Sequence, residues 1–129
     1  MNYTSLMFLL ALLVATFSLS SCSVKLPSID GAEKECFERL RSHPREDMEK
    51  RCMKLSLEKW RALERRNPAV GSCCVLYETL DCIQHEASLY CDTPQLAALN
   101  AYHLESLNSV EASTCQSVPY DEIGTFCKV

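Results

Sequence analysis

Nine cysteines and three histidines carry most of the reactive chemistry in this chain of 129 residues. Two of the cysteines, Cys73 and Cys74, are adjacent, and the others are Cys22, Cys36, Cys52, Cys82, Cys91, Cys115 and Cys127. Thiolates and imidazoles gather a zinc ion when they stand at Cys-x2-Cys or His-x3-His spacing, and neither spacing occurs here. A serine nucleophile would need a setting such as Gly-x-Ser-x-Gly, also missing among only three glycines. The chemistry left to these thiols is oxidation in pairs, which takes them out of metal binding and nucleophilic attack. The residues therefore predict no metal, no cofactor and no catalysis. His103 falls within an apolar stripe and reads as a core or rim residue, His85 follows Asp81 by four and reads as its ion-pair partner, and His43 stands at a helix start.

The run Cys73-Cys74-Val75-Leu76-Tyr77-Glu78 resembles the Cys-Cys-x-x-His-Asp helix of secreted phospholipase A2. Tyr77 stands where that enzyme needs an imidazole to activate water, and there is no glycine-rich loop to cage calcium. The spacing is present without its mechanism, so that activity is not expected.

The elements that must position these cysteines begin after a targeting segment. Leu6 to Phe17 is an apolar run of signal-peptide length, followed by the small residues of Ser18-Leu19-Ser20-Ser21-Cys22-Ser23. Residues 1–23 are read as the signal and 24–129 as one disulfide-rich domain. Cleavage after Ser20 or Ser23 fits the small-residue rule, and the second removes Cys22 to leave an even eight cysteines. Leu19-Ser20-Ser21-Cys22 also resembles a bacterial lipobox, in which Cys22 would be lipidated, but the basic residues that normally precede such a segment are missing. The localisation expected is secreted and extracellular, with no transmembrane segment in the mature chain.

Four helices are predicted. Asp30 with Glu33 opens the first, which runs to about Arg41. Ser42 starts the second, which runs to about Arg66 and is stopped by Asn67-Pro68. Ser72 caps a third from Cys73 to about Tyr90, and Thr93-Pro94 opens a fourth to about Val110 or a little beyond. Met48, Cys52, Leu55, Trp60 and Leu63 mark the buried side of the second. Leu76, Leu80, Ile83, Ala87 and Tyr90 share one face of the third, opposite Glu78, Asp81, His85 and Ser88. Leu96, Leu99, His103, Leu107 and Val110 form a narrow stripe on the fourth, and the tail from Gln116 wraps irregularly, held by Cys127. No stretch alternates with period two, so the fold class is all-α: a compact bundle of about four helices stapled by four disulfides.

Geometry restricts the pairing. On one helix Cys74 and Cys82 stand about 12 Å apart and Cys82 and Cys91 about 13 Å, at 1.5 Å rise per residue, whereas a disulfide holds its Cα atoms within about 7 Å. A vicinal Cys73–Cys74 bond is strained. All four cysteines of this segment must then reach Cys36, Cys52, Cys115 and Cys127, which leaves 24 of the 105 arrangements. Folding the second helix back on the third brings Cys52 level with residues 82–85, favouring Cys52 with Cys82; Cys115 is expected on Cys73 or Cys74.

The cysteine order also resembles the eight-cysteine motif of plant lipid-transfer and prolamin-type proteins, over residues 36 to 127, with Cys82-x8-Cys91 in place of the Cys-x-Cys of that family. The resemblance implies disulfide-stapled helices around an apolar cavity. The stretch from Cys73 to Cys82, with another cysteine nine residues on, is similar to secreted cysteine-rich proteins of arthropods, a likeness that brings no activity with it.

Charge is divided unevenly. Residues 25–66 hold twelve Lys and Arg against nine Asp and Glu, while residues 67–129 hold Lys128 alone against eight acidic residues. Lys50, Lys54, Arg61 and Arg65 line the outer face of the second helix and are the expected contact for an anionic partner; the acidic second half argues against nucleic acid. Together these features predict a secreted, non-catalytic binding protein whose partner is an extracellular protein or surface. The alternative is a carrier of a fatty acid or similar small apolar ligand, lined by Leu96, Leu99, His103, Leu107 and Val110.

Overall fold

The computed structural model describes residues 26–42, 47–120 and 126–127. The expected signal segment, Cys22 and His43 lie outside these residues. Four helices make up the described fold: α1 Glu33–Arg41, α2 Met48–Arg66, α3 Pro68–Ser88 and α4 Thr93–Ser113. There is no strand among the described residues, so the all-α expectation holds.

Local sequence explains where each helix begins and ends. Helix α1 carries Glu33 and Glu35 in its first turn and Arg39 and Arg41 in its last, charges that oppose the helix dipole at both ends. Ala32, not the expected Asp30, occupies its N-cap, and Glu33 Oε1 reaches back to accept from the Gly31 N–H at 3.1 Å. Ser42, expected to open the second helix, instead closes the first: its N–H bonds Glu38 O at 3.0 Å and its hydroxyl donates to Arg39 O at 2.8 Å. Helix α2 starts only after Asp47.

Helix α3 begins five residues before the expected Cys73, because Asn67 serves two helices at once. Its N–H ends α2 on Leu63 O at 2.7 Å, while its side-chain Oδ1 accepts from the Val70 N–H at 3.4 Å and Pro68 takes the first helical position. The hairpin connection is that single residue. Helix α4 opens on a full capping box: Asp92 Oδ1 accepts from the Gln95 N–H and Gln95 Oε1 accepts from the Asp92 N–H, both at 3.1 Å.

Helices α2 and α3 pack most extensively. They approach so closely that a Cβ on Gly71 would lie 2.3 Å from the Glu64 Cα. Arg51 to Glu86 at 2.8 Å and Lys59 to Glu78 at 3.0 Å flank the seam. Leu55, expected on the inner side of α2, is 54% exposed, and Ser56 takes the buried place by donating its hydroxyl to Cys52 O at 2.8 Å.

Two small cores form, one toward each end of α3. The first joins Phe37 and Leu40 of α1, Met48 and Cys52 of α2, Ala87 of α3 and Leu99 of α4. The second joins Cys73 and Tyr77 of α3, Leu107 and Val110 of α4, and Cys115 and Val118 of the tail. Each core holds two disulfides. Cys36–Cys91 and Cys52–Cys82 close the first, with Cα separations of 4.9 and 5.6 Å; Cys73–Cys115 and Cys74–Cys127 close the second, at 5.8 and 5.5 Å. The connectivity is one of the 24 arrangements allowed by the helix geometry, and Cys52–Cys82 and the use of Cys115 on the Cys73-Cys74 pair are as expected.

Candidate functional site

The half-buried polar cluster of the molecule is built on Asp81. Expected on the outer polar face of α3 beside His85, Asp81 instead turns toward α4 and the tail. His103 Nε2 lies 2.9 Å from Asp81 Oδ1, and the Tyr120 hydroxyl donates to both carboxylate oxygens, at 3.2 and 3.0 Å. His85 is exposed and has no ion pair among the described residues. The reason lies in the offset between helices: α4 crosses α3 so that His103 stands level with Asp81, and a partner on a packed neighbouring helix is better shielded from water than one on the same exposed face.

Tyr77, one turn earlier on α3, completes the cluster. It is 3% exposed, and its hydroxyl donates to Val118 O at 2.6 Å while its ring meets that of Tyr120 edge-on at 5.3 Å. Burial, with a smaller contribution from the Glu111 carboxylate, pushes its phenol up to about 12. A phenol so held is a hydrogen-bond donor at neutral pH, never a base. Asp81, His103, Tyr77 and Tyr120 thus face one another across a joint between α3, α4 and the tail.

A second polar joint fixes α1. Arg39 Nη1 donates to Tyr90 O at 2.6 Å and to Gln95 Oε1 at 3.0 Å, and its Nη2 pairs with Glu35 Oε2 at 3.2 Å. Gln95 Nε2 in turn donates to Glu35 Oε2. Glu35, Glu38, Arg39 and Ser42 line an open cleft on this side, but the cations and anions there neutralise one another.

The expected surface and lining residues fall in different places. Lys50, Lys54, Arg61 and Arg65 are all exposed along α2. Of the expected apolar stripe, Leu99, Leu107 and Val110 are at most 4% exposed and lie within the two cores, His103 takes part in the Asp81 joint, and Leu96 is 36% exposed. No group of three His, Cys, Asp or Glu side chains is placed to hold a metal among the described residues. No described helix is long and apolar enough to cross a membrane.

The Asp81 joint is not legible in the sequence because Asp81, His103 and Tyr120 lie 17 to 39 residues apart, beyond any helical spacing rule; only Tyr77, one turn before Asp81, stands at such a spacing. The Gln95 joint had a legible half: Asp92-Thr93-Pro94-Gln95 is a capping-box pattern. Comparisons with protein-family models, with curated proteins and with solved structures find no match to this chain.

Proposed function

We propose that the protein is a secreted, non-catalytic interaction protein: a helical platform, fastened by disulfides, that presents a fixed surface to another extracellular molecule. The observation that carries this reading is the disulfide set. All eight cysteines from Cys36 to Cys127 are paired, and the four bonds join α1, α2 and the tail to the α3 segment. Such bonds persist in oxidising compartments, and a domain of this size with two small cores gains from them what its apolar burial alone does not supply. The side chains best suited to proton transfer support the same reading, because they fasten the tail rather than line an open cleft.

The carrier reading needs Leu99, Leu107 and Val110 to face a ligand. Their packing against Phe37, Leu40, Tyr77 and Val118 favours the platform. Expression of the full chain in a secretory cell line tests the proposal. The medium should contain a chain that begins after Ser20 or Ser23 and reacts with no thiol reagent at residues 36–127 until reduced. Retention of free thiols, or of the chain within the cell, overturns it. A fatty acid co-purified in native mass spectrometry, displaced by a fluorescent analogue, would replace the platform with the carrier.

A further inference from the structure

The basic residues of α2 divide into two sets. Arg51 and Lys59, which flank the α3 seam, are neutralised by Glu86 and Glu78. Lys54, Arg61, Arg65 and Arg66 are exposed and have no carboxylate within 4.0 Å among the described residues. At 100° per residue Lys54, Arg61 and Arg65 fall within an arc of about 40°, and the rise from the first to the last is about 16 Å. Lys50, which has its own interaction within the protein, extends the same line by one turn. Arg66 points to another side. The result is a straight rail of cations on a chain whose formal net charge is −4.

We propose that this face of α2 binds a linear sulfated polysaccharide, with Lys54, Arg61 and Arg65 as its rail. The inference rests on the platform reading and names its partner class. Three features select that class. Helix α2 is pinned beneath the rail by Cys52–Cys82 and by the close approach at Gly71, so the cations are held in line before the ligand arrives. The only aromatic residue of α2, Trp60, is 5% exposed, so the rail offers neither a ring for stacked bases nor the aromatic anchor usual in protein interfaces. Met48, Cys52 and Trp60 are buried and Met53, Leu57 and Leu63 half-buried, so Leu55 is the one large apolar side chain of α2 that stands exposed, too little to enter a bilayer. A row of charges without rings and with little exposed apolar surface beside it matches a polymer that carries sulfates along an extended chain. Glu58 stands beside the row between Lys54 and Arg61 and weakens its field, which sets a modest affinity and a steep dependence on salt.

Heparin is the probe. The oxidised protein should bind it near physiological ionic strength, and the triple variant Lys54→Gln, Arg61→Gln, Arg65→Gln should bind at least 10-fold more weakly. A charge-matched control, Lys34→Gln, Lys59→Gln, Arg66→Gln, removes three cations off the rail and should stay within 3-fold of the parent. Circular dichroism and thiol counting confirm that both variants are folded and oxidised. Equal losses in the two variants would mean bulk attraction only and overturn the proposal. So would parent binding no tighter to heparin than to desulfated heparin, or rail-dependent binding to phosphatidylserine vesicles or poly-glutamate in place of heparin. None of these results touches secretion or disulfide pairing, so the platform reading stands or falls separately.

Discussion

Asp81 shows how one carboxylate can tie three segments together. It receives Tyr120 from the tail and His103 from α4 while sitting on α3. Hydrogen bonds to a charged group contribute about 1.5–3 kcal/mol when shielded, and this carboxylate is 39% exposed, so the lower end applies. Asp81→Asn is expected to lower stability to urea by about 1–2 kcal/mol and Tyr120→Phe by about 1 kcal/mol. Because both act through one joint, the double variant should lose less than the sum; strictly additive losses would show that the two side chains do not meet. Tyr77 adds a pH dependence. Its folded phenol keeps its proton up to about 12, whereas in the unfolded chain it ionises near the ordinary value of 10.0. The unfolded state thus binds fewer protons in that window, and stability present below pH 10 falls as the pH rises toward 12. The urea midpoint of the parent should drop across this range, and that of Tyr77→Phe should drop less.

At the level of the helix, Gly71 and Asn67 decide how α2 and α3 meet. Alanine favours a helix over glycine by about 1 kcal/mol, yet at Gly71 the added methyl would collide with Glu64 backbone. Overpacking of that kind costs about 1–3 kcal/mol, so Gly71→Ala is expected to lower the melting temperature despite its better propensity. A rise would mean the hairpin can open without loss. The same junction explains where sequence reading fell short. Asn67-Pro68 was legible as the stop of α2, and Asp92-Thr93-Pro94-Gln95 as the start of α4, because each is a local chemical pattern. Asn67-Pro68 is equally the local pattern of a helix start, and reading it only as the stop of α2 puts the start of α3 five residues late. Leu55 is displaced from its expected buried place for a related reason: the α2 face follows its antiparallel neighbour, and Ser56, which satisfies its own hydroxyl on the preceding turn, is admitted to the seam.

Over the whole molecule, the chain is organised as two small cores along α3, each closed by two disulfides. The number and class of helices were legible from cysteine-free gaps rich in helix formers. The pairing was legible only in part, because hairpin height is readable from linker position, whereas the reach of a tail is not. The Asp81 joint, and hence the docking of that tail, depended on how α4 lies against α3.

The order of the bonds along the chain has a consequence for proteolysis. Cys36–Cys91 encloses Cys52–Cys82 and overlaps both Cys73–Cys115 and Cys74–Cys127, so every peptide bond between residues 36 and 127 is bridged by at least one of them. A protease that cuts once in this span adds a water but frees nothing. Limited trypsin cleavage after Arg66, at the exposed turn between α2 and α3, should give a nicked protein that runs as one species without reductant and separates into two when reduced. Appearance of a free fragment before reduction would contradict the connectivity. Of the four helices only α4, which carries no cysteine of its own and lies between Cys91 and Cys115, can be excised whole, and that takes two cuts. In a protease-rich fluid, the first cut is a scar that the molecule survives whole.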